Sequence, residues 1–448
     1  MSRRTRVADW VFGQPLGAPR ALLMRLLVGG GMLVAGLLVV LYRLPPEQQN
    51  VLWSEDGNQF LEGAFRSGYL GNLFTPYAGY MHFVPRTAAQ IVAAFVPTTQ
   101  LGLAMNIAGA AVWSTTACAA FVFTRDRVRL PLRFLLWLLV LLVPIGSMEV
   151  ATNVSNSHWF LIFALFMVLS ARSGPGSARI VFGSALVAAA VMSDPLALAF
   201  APLVVARVIA MPRVRENIVG IAFAAAGVVQ VLMALSTERN RGEPQLQPGS
   251  QLATYLVRVV WGDLLGPSDA TRLYELLGRT SVVLIAGAVV VALAVFIGVR
   301  WRRAGLAVLA LGASAAFWGV TAVLTWVSIG RQPLGVEVFL GGRYLVVPSL
   351  LLATSIVAVV NSWLSAPNAR RAPRVLGVVV ALAVAALLIS PGVVDYRTPE
   401  NKAGVPELTT SVPGFRPVCE ADPSATVAVP EAPAGFTFAV PCARILSG

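Results

Sequence analysis

The sequence has few charged residues for its length. Only 12% of its 448 residues are Asp, Glu, Lys or Arg, whereas a soluble domain usually has about 25%. This scarcity excludes an ordinary soluble enzyme and a disordered chain, since both depend on a charged surface. The hydrophobic share of 57% instead indicates a protein that crosses a membrane several times.

Lysine is almost absent, because Lys402 is the only one in the chain. The net charge of +13 therefore comes from arginine, and the arginines stand in short runs between apolar stretches. A membrane protein keeps its cytoplasmic charge in such loops. We therefore expect the lipid bilayer as a partner and no nucleic acid. Abundant Ala, Val and Arg are also typical of a GC-rich bacterial genome.

Cysteine and histidine are scarce as well, with three and two residues. Spacings such as Cys-x-x-Cys or His-Glu-x-x-His are absent, so no metal site is assigned. Cys118 lies in an apolar run and is interpreted as a core residue. Cys419 and Cys442 follow the last apolar run, and we expect a disulfide between them if that tail is extracytoplasmic.

Eleven apolar runs fit a crossing of about 30 Å of hydrocarbon, roughly 20 residues each. The first is not followed by a convincing cleavage site and is interpreted as a retained first span. The fold class predicted is thus an all-α polytopic membrane protein. The predicted spans are 25–42, 101–123, 134–147, 158–171, 180–193, 195–211, 217–235, 281–299, 304–327, 344–362 and 375–394.

The distribution of arginine orients these spans. With the N terminus in the cytoplasm, alternation places every short arginine-rich loop on the inner side, as the positive-inside rule requires. We therefore expect a multi-pass protein of a bacterial plasma membrane, with residues 1–394 as the membrane domain and 395–448 as an extracytoplasmic tail. The inner loops are 125–133, 172–179, 213–215, 300–303 and 370–374.

The predicted outer face holds most of the polar sequence. Residues 84–97 are apolar but short and bounded by Pro, so they are interpreted as a helix on the outer membrane surface. The alternative is a hairpin with 101–123. The outer segments are the first loop 43–99, the short loop 148–157, Asp194, the large loop 236–280, the loop 328–343 and the tail.

Two adjacent carboxylates, Glu55 and Asp56, open a helical pattern in the first outer loop. One interpretation is that Asp56 caps this helix. The other is that a carboxylate is held at the membrane boundary beside a polar site, and the two interpretations are compatible. The pattern predicts an amphipathic helix resting on the membrane surface, formed by Phe60, Leu61, Ala64 and Phe65.

The remaining polar candidates also map to the outer face. They are interpreted either as parts of one shared site or as ordinary loop and interface residues. Asp194 suits a hairpin turn before Pro195, yet an ionisable group near membrane depth also indicates function. Arg343 follows two glycines and suits either a phosphate or an interfacial anchor. The candidates are His82, Arg86, Glu149, Asn153, Asn156, His158, Asp194, Arg343 and Tyr344.

The layout resembles the GT-C superfamily of integral-membrane glycosyltransferases. Three elements carry the resemblance: acidic residues early in the first outer loop (Glu55-Asp56), a His-and-Pro element later in that loop (His82-Phe83-Val84-Pro85), and Arg343-Tyr344 at the outer start of a late span. Many spans and surface helices in a long first outer loop complete it.

This resemblance implies an inverting transfer of sugar from a polyprenyl-phosphate donor to a glycan, lipid or protein acceptor. Asp56 or Glu55 would be the general base, and Arg343, with Arg86, would stabilise the leaving phosphate. The scheme needs no cofactor, although the carboxylates leave a divalent metal open. The residues that would orient sugar hydroxyls are His82, Glu149, Asn153, Asn156 and His158, and those that would cover the acceptor are Arg239, Arg241, Trp261 and Asp263.

Two other classes of function compete with this one. A transporter or a flippase of a lipid-linked sugar also has many spans, but it requires polar residues along the spans to form a path. A non-catalytic scaffold gives no reason for polar clusters in three separate outer loops. The middle of the predicted spans is nearly free of charge, which favours chemistry at the membrane boundary.

Overall fold

The computed structural model describes residues 3–14, 22–145, 147–172, 177–237, 243–329, 341–365, 371–397 and 402–447. Most of these residues are helical, and a two-stranded hairpin lies near the C terminus. The predicted class of helical membrane protein is therefore confirmed.

The described helices and strands, in chain order, are α1 (Arg3–Phe12), α2 (Leu22–Leu41), α3 (Glu62–Arg66), α4 (Tyr69–Leu73), α5 (Phe83–Phe95), α6 (Leu101–Phe123), α7 (Leu130–Leu142), α8 (Ser147–Val150), α9 (His158–Leu169), α10 (Ser177–Ser193), α11 (Ala201–Ala210), α12 (Val214–Leu235), α13 (Pro248–Thr254), α14 (Gly262–Val299), α15 (Gly305–Ile329), α16 (Val346–Leu364), α17 (Arg371–Val394), α18 (Leu408–Ser411), α19 (Arg416–Ala421), β1 (Thr426–Glu431), β2 (Phe436–Pro441) and α20 (Cys442–Ser447).

Five helical stretches in the described part of the chain are long and apolar enough to cross a membrane. Six shorter apolar helices accompany them. Each of the eleven predicted runs overlaps one of these stretches. The five long ones are Thr98–Phe123, Val214–Leu235, Pro248–Val299, Gly305–Trp326 and Gly342–Leu364, and the six short ones are Leu27–Leu41, Leu130–Leu142, His158–Leu169, Ser177–Ser193, Pro195–Ala210 and Val378–Val394.

Helix α9 lies at the centre of the bundle. Every one of its residues is buried, as expected of a helix that is apolar on all sides. It contacts α6, α10 and α16. The ring of Phe160 stacks on Trp113 of α6 at 4.1 Å between centroids, so aromatic packing fixes the central pair.

The segment predicted as a large outer loop, 236–280, is mostly helical where it is described. It contains α13, a π-helical stretch Tyr255–Trp261 and the first half of α14. Gly266 and Gly278 break α14 with left-handed φ angles of 78° and 77°, which glycine adopts without strain. The predicted span 281–299 begins after the second break. Arg239 and Arg241 lie outside the described residues.

One end of the bundle gathers the arginine-rich segments and is called the arginine end. Helix α1 docks there: Arg127 Nη1 donates to the Val11 carbonyl at 2.8 Å, and Arg172 pairs with Asp9 at 2.9 Å. The indole of Trp10 donates to the Trp301 carbonyl at 2.6 Å. Three of the segments predicted to lie on the inner side, 125–133, 172–179 and 300–303, therefore contact the N-terminal helix.

The other end, called the Glu55 end, carries the first loop and a C-terminal cap, which comprises residues 402–447. The predicted disulfide between Cys419 and Cys442 is present. Strands β1 and β2 pair antiparallel beside it, a hairpin that the sequence reasoning missed. The Ala439 N–H of the cap donates to Glu62 Oε1 at 2.6 Å, so the cap sits directly on the first loop.

The first-loop helix predicted to rest on a membrane is present but has a different partner. It is π-helical over Asp56–Leu61 and continues as α3. Phe60 and Leu61 are fully buried against α5 and the cap, so the prediction of a membrane-facing surface was wrong. The apolar pattern specified a buried face but did not identify what buries it.

Helix α5 matches the short apolar stretch 84–97. It buries Ala89, Val92 and Ala93, while Ile91 and Phe95 on its other face are exposed. A 3-10 turn, Thr98–Gln100, separates it from α6. An apolar outward face suits a helix lying at a membrane surface.

Candidate functional site

Glu55 and Asp56 are adjacent in sequence and occupy opposite environments. Asp56 is fully buried: its Oδ1 accepts the Ser155 N–H at 2.8 Å and its Oδ2 accepts the Val154 N–H at 3.1 Å. Glu55 is partly exposed. Asp56 therefore ties the first loop to residues 154 and 155, and its carboxylate does not cap the helix that it opens, so the capping interpretation was wrong.

Close backbone packing makes this tie possible. Gly109 of α6 lies beneath the loop, and a Cβ there would stand 2.9 Å from the Asn153 carbonyl carbon. Gly57 faces the Glu431 carboxyl of the cap so closely that any side chain would run into it. Glycine at these two positions lets three separate segments meet around Asp56.

Lys402, the only lysine, is buried beside Asp56. Its Nζ donates to the Val51 carbonyl at 2.9 Å and to Asn106 Oδ1 at 2.6 Å. Burial raises the pKa of Asp56, against the opposing effects of the Lys402 charge and the two N–H donors. Burial likewise lowers the pKa of Lys402, while Asp56 opposes that shift. The hydrogen bonds of Lys402 to Val51 and Asn106 anchor the cap to the first loop and to α6.

Glu55 lies within electrostatic range of several of the polar segments. Its carboxylate acts electrostatically on groups from the first loop, the 148–157 segment and the start of the last long apolar stretch. Because such interactions in protein fall off over several ångströms, the groups share one locality. We call this set the Glu55 site: Glu55, Tyr77, Glu149, His158 and Arg343.

Arg343 is held in this site by Glu149. The Arg343 N–H donates to Glu149 Oε2 at 2.9 Å, and Nη1 lies 3.4 Å from Oε1. Gly341, with φ at 91°, starts the turn that presents Arg343. The Glu149 side chain is 4% exposed and that of Arg343 33%, so part of the guanidinium is open to a ligand. Burial raises the pKa of Glu149, and Arg343 opposes the shift.

Tyr344 supports the same guanidinium. Its hydroxyl accepts from Arg343 Nη2 at 3.4 Å. Its ring lies edge-on to Trp159 at 5.2 Å. Tyr344 therefore packs the arginine against α9 and lies next to the Glu55 site.

His158 and Asp194 form a buried pair next to these groups. His158 Nδ1 lies 2.8 Å from the Ser155 carbonyl, and Nε2 lies 3.1 Å from Asp194 Oδ2. Both ring nitrogens thus face acceptors, which requires a proton between His158 and Asp194. Asp194 Oδ1 also accepts the Leu196 N–H at 2.7 Å, so the turn interpretation is confirmed, while a role of Asp194 in a functional site stays a prediction.

His82 and Arg86 pack the first loop. His82 is buried, its ring stacked on Tyr80 at 4.1 Å and tilted against Phe60 at 5.4 Å. Arg86 Nη1 donates to Asn72 Oδ1 at 2.6 Å, and its guanidinium lies over the Phe60 ring. These contacts organise the loop, whereas the resemblance had suggested roles in binding sugar and phosphate.

Asn153 and Asn156 shape the segment that holds Asp56. Both side chains are buried, and both donate to the Glu149 carbonyl, at 2.7 Å and 3.1 Å. Asn153 Oδ1 also accepts the Asn156 N–H at 2.9 Å. Their amides are thus engaged with the backbone, which is a different role from the predicted contact with sugar hydroxyls.

Trp261 and Asp263 are buried. The Trp261 indole donates to the Ala270 carbonyl at 3.1 Å. These residues pack the broken helical segment, so the structure does not place them as an open cover for an acceptor.

Two residues of this region were missed by sequence reasoning. Lys402 was noted only as the sole lysine, although a single lysine in an arginine-rich chain is itself a signal. Tyr77 was passed over within Tyr77-Ala78-Gly79-Tyr80, where Ala-Gly between two tyrosines indicates a turn. Both residues lie where the first loop meets other parts of the chain.

Among the described residues, no group of three or more His, Cys, Asp or Glu side chains is arranged to hold a metal ion. Comparison with known proteins finds no matching family model, no matching curated protein and no matching solved structure.

Proposed function

We propose that this chain is a GT-C-type membrane glycosyltransferase that transfers a sugar from a polyprenyl phosphate with inversion. The observation that carries the proposal is the Glu55 site itself. The partly exposed Glu55 carboxylate adjoins Asp56, which is hydrogen-bonded to residues 154 and 155. The partly exposed Arg343 guanidinium is held by Glu149 at the same end of the helix bundle. A general base and a cationic side chain that can bind phosphate, both at a membrane boundary, suit a donor in which the sugar is attached to a lipid phosphate.

Glu55 is the general base in this proposal. Its carboxylate takes the proton of an acceptor hydroxyl, and the acceptor oxygen bonds to the anomeric carbon from the face opposite the phosphate. Asp56 is buried, and its carboxylate accepts hydrogen bonds from two backbone N–H groups. It is therefore a positioning residue that holds Glu55 against the 148–157 segment.

Arg343 stabilises the leaving group. As the bond between the anomeric carbon and the phosphate oxygen breaks, the electron pair leaves on the polyprenyl phosphate, and the guanidinium balances that charge. Glu149 fixes the backbone and the side chain of Arg343, so the Arg343 guanidinium needs little reorganisation when phosphate binds.

The proposed topology has eleven spans, a cytoplasmic N terminus and an extracytoplasmic Glu55 end, in a bacterial plasma membrane. The short arginine loops gather at the arginine end and the polar site at the other, as this orientation requires. Helices α6, α9 and α15 contain no charged residue. A flippase needs a polar path through the bundle, so this distribution favours chemistry at the boundary.

The proposal is tested in membranes of a host deleted for the gene and complemented with wild type, Glu55→Gln or Asp56→Asn. Transfer from labelled polyprenyl-phosphate sugars is followed at matched protein level. We expect Glu55→Gln to be present in normal amount and to lose about 10²–10⁴-fold in transfer. Glu47→Gln, an exposed glutamate of the same loop, is the matched control.

Two results would contradict the proposal. One is wild-type transfer by Glu55→Gln. The other is found in the deletion host. If the lipid-linked sugar accumulates on the cytoplasmic side there, while membranes of that host still transfer sugar from added donor, the protein is a flippase. Loss of protein in Asp56→Asn alone is expected, because an amide cannot accept both backbone N–H groups in place of the carboxylate.

A further inference from the structure

The C-terminal cap pairs with the backbone that leads into Glu55. The Ala432 N–H donates to the Leu52 carbonyl at 2.9 Å, and the Ser54 N–H donates to the Ala432 carbonyl at 2.5 Å. These two bonds form a parallel bridge between Trp53 and Ala432. The Trp53 side chain is buried and packs against the cap. The residues immediately before Glu55 are therefore held by the cap through both backbone and side-chain contacts.

Ser54, the residue before Glu55, has an unfavourable backbone conformation. Its φ angle is 29°, in a region that residues with a side chain rarely adopt. The Asp56 N–H donates to the Trp53 carbonyl at 2.7 Å, so the chain turns sharply here. Such a conformation persists only when surrounding contacts fix it, and the hydrogen bond from Ser54 to Ala432 is one of these contacts. The turn that presents Glu55 therefore depends on the cap.

The cap also contacts the first loop on either side of this turn. Before the turn, Lys402 Nζ donates to the Val51 carbonyl at 2.9 Å. After the turn, the Ala439 N–H donates to Glu62 Oε1 at 2.6 Å. Contacts before, at and after the turn fix its orientation more firmly than one contact could. The cap therefore acts on the whole stretch of chain that carries Glu55.

The disulfide closes the part of the cap that contains Ala432. It joins Cys419 to Cys442, and the enclosed loop includes β1, Ala432 and β2. Both cysteines are buried in a core that the cap shares with the first loop. Without the bond, more conformations are open to the enclosed loop. Its pairing with the first loop is then weakened.

We propose that the cap positions the Glu55 carboxylate through Ala432, and that sugar transfer therefore requires the disulfide between Cys419 and Cys442. This inference rests on the proposed function, because Glu55 is a general base only if the chain is a glycosyltransferase. A base that is already held in place reacts faster, since less of its motion has to be restricted in the transition state. Ala432 acts through the backbone of the turn and is a positioning residue.

The proposal makes transfer dependent on redox conditions. When a dithiol reductant breaks the S–S bond, the two cysteine sulfurs take up two electrons and two protons, and the reductant becomes a disulfide. A disulfide oxidant of the cell envelope reverses this exchange. Disulfides persist in such oxidising compartments and are rare in the cytoplasm, so the base is positioned on the outer side of the membrane.

Hydrogen exchange tests the hold of the cap on the first loop without requiring activity. It is measured on the full chain in lipid nanodiscs, for wild type and for the double variant Cys419→Ser, Cys442→Ser. We expect the Ser54 amide to exchange about tenfold faster in the double variant, the worth of one backbone hydrogen bond. Helix α7 should keep its protection, which shows that the bundle is folded. Unchanged exchange at Ser54 would overturn the inference.

Reduction after assembly makes the same test on a chain that has already folded. Wild type treated with dithiothreitol in the nanodisc should show the same faster exchange at Ser54. Cys118→Ser is the matched control, because it removes the free cysteine and leaves the disulfide intact. Its Ser54 amide should exchange as in wild type.

The kinetics of transfer separate positioning of the base from binding of the donor. The double variant should transfer sugar roughly 10²-fold more slowly at saturating donor. Its affinity for polyprenyl phosphate should be unchanged, because Glu149 and Arg343 lie outside the cap. In Glu55→Ala, the rate restored by added formate should not change when the disulfide is removed, since a free base needs no positioning. A fall in that restored rate as large as in wild type would overturn the positioning role.

The two proposals fail in different ways. If Glu55→Gln transfers sugar as wild type does, while loss of the disulfide still speeds exchange at Ser54, the assignment of the general base is wrong and the hold of the cap on the first loop stands. If the double variant transfers at the wild-type rate, while Glu55→Gln does not, the inference is wrong and the proposed function stands.

Discussion

Glu149 holds Arg343 at both its backbone and its side chain, with one carboxylate oxygen 2.9 Å from the arginine N–H and the other 3.4 Å from Nη1. The two residues come from segments almost two hundred positions apart. The pair leaves part of the guanidinium exposed while fixing its direction, which is the arrangement required of an anion-binding group.

Arg343→Gln should therefore weaken binding of polyprenyl phosphate. Hydrogen bonds to a charged partner contribute about 1.5–3 kcal/mol, which corresponds to a loss of roughly 10–150-fold in affinity. Tryptophan fluorescence in nanodiscs titrated with a short polyprenyl phosphate measures it. Arg302→Gln, an exposed arginine at the other end of the bundle, should bind as wild type does; equal affinity in Arg343→Gln would remove the phosphate role.

His158 and Asp194 should behave as one unit. Removing one partner of a buried hydrogen-bonded pair leaves the other unsatisfied and costs about 1–3 kcal/mol, so Asp194→Ala and His158→Ala should each lower the free energy of unfolding. The double variant should lose little more than either single variant, and a thermal-stability double-mutant cycle measures the difference. If the losses of stability in the two single variants add up in the double variant, the 3.1 Å contact between His158 and Asp194 contributes no interaction energy.

The cap should loosen as the pH rises, because Glu431 is buried against Gly57. Burial, assisted by Asp56, raises the pKa of Glu431 to about 9. A carboxyl whose pKa is raised on folding stabilises the fold at low pH, and that contribution is lost as the pH rises towards the folded pKa. Glu431→Gln should therefore have a higher Tm than wild type at pH 9 and a similar Tm at pH 5.

If Glu431→Gln has the same dependence of Tm on pH as wild type between pH 5 and pH 9, the Glu431 carboxyl does not lower stability as the pH rises, and the prediction is wrong. Glu420→Gln, an exposed glutamate of the cap, is the control that should leave the profile unchanged.

The disulfide should stabilise the cap more than any other single contact in it. It joins residues 23 positions apart, and a loop of that length is worth about 3 kcal/mol in the chain-entropy account. The double variant Cys419→Ser, Cys442→Ser should lower the protection of the cap from hydrogen exchange. Added reductant should then no longer change that protection. Cys118→Ser, which changes the free cysteine of α6, should leave the protection and its reductant sensitivity as in wild type.

Much of the helical layout is readable from hydropathy. The predicted run 101–123 and helix α6 have the same bounds, because a membrane helix is defined by composition more than by its neighbours. The alternation in Thr426–Glu431 and Phe436–Pro441 was also readable as two strands. It was missed because the segment was treated as a tail after the last span.

The roles of individual polar residues were less readable. Glu55 and Asp56 are chemically alike and adjacent, and only the packing of residues 154 and 155 separates them into an open carboxylate and a buried one. His82 looked available as a loop histidine, yet Tyr80 and Phe60 cover it. Such outcomes depend on contacts between distant segments, which a single sequence does not specify.

The central claim is that Glu55 is the base, and chemical rescue tests it most directly. Purified Glu55→Ala in nanodiscs should transfer almost no sugar from a polyprenyl-phosphate donor, and added formate should restore part of the rate by taking the place of the missing carboxylate. Asp56→Ala, the adjacent positioning residue, should not be rescued. Wild-type transfer by Glu55→Ala, or rescue of Asp56→Ala instead, would contradict the account.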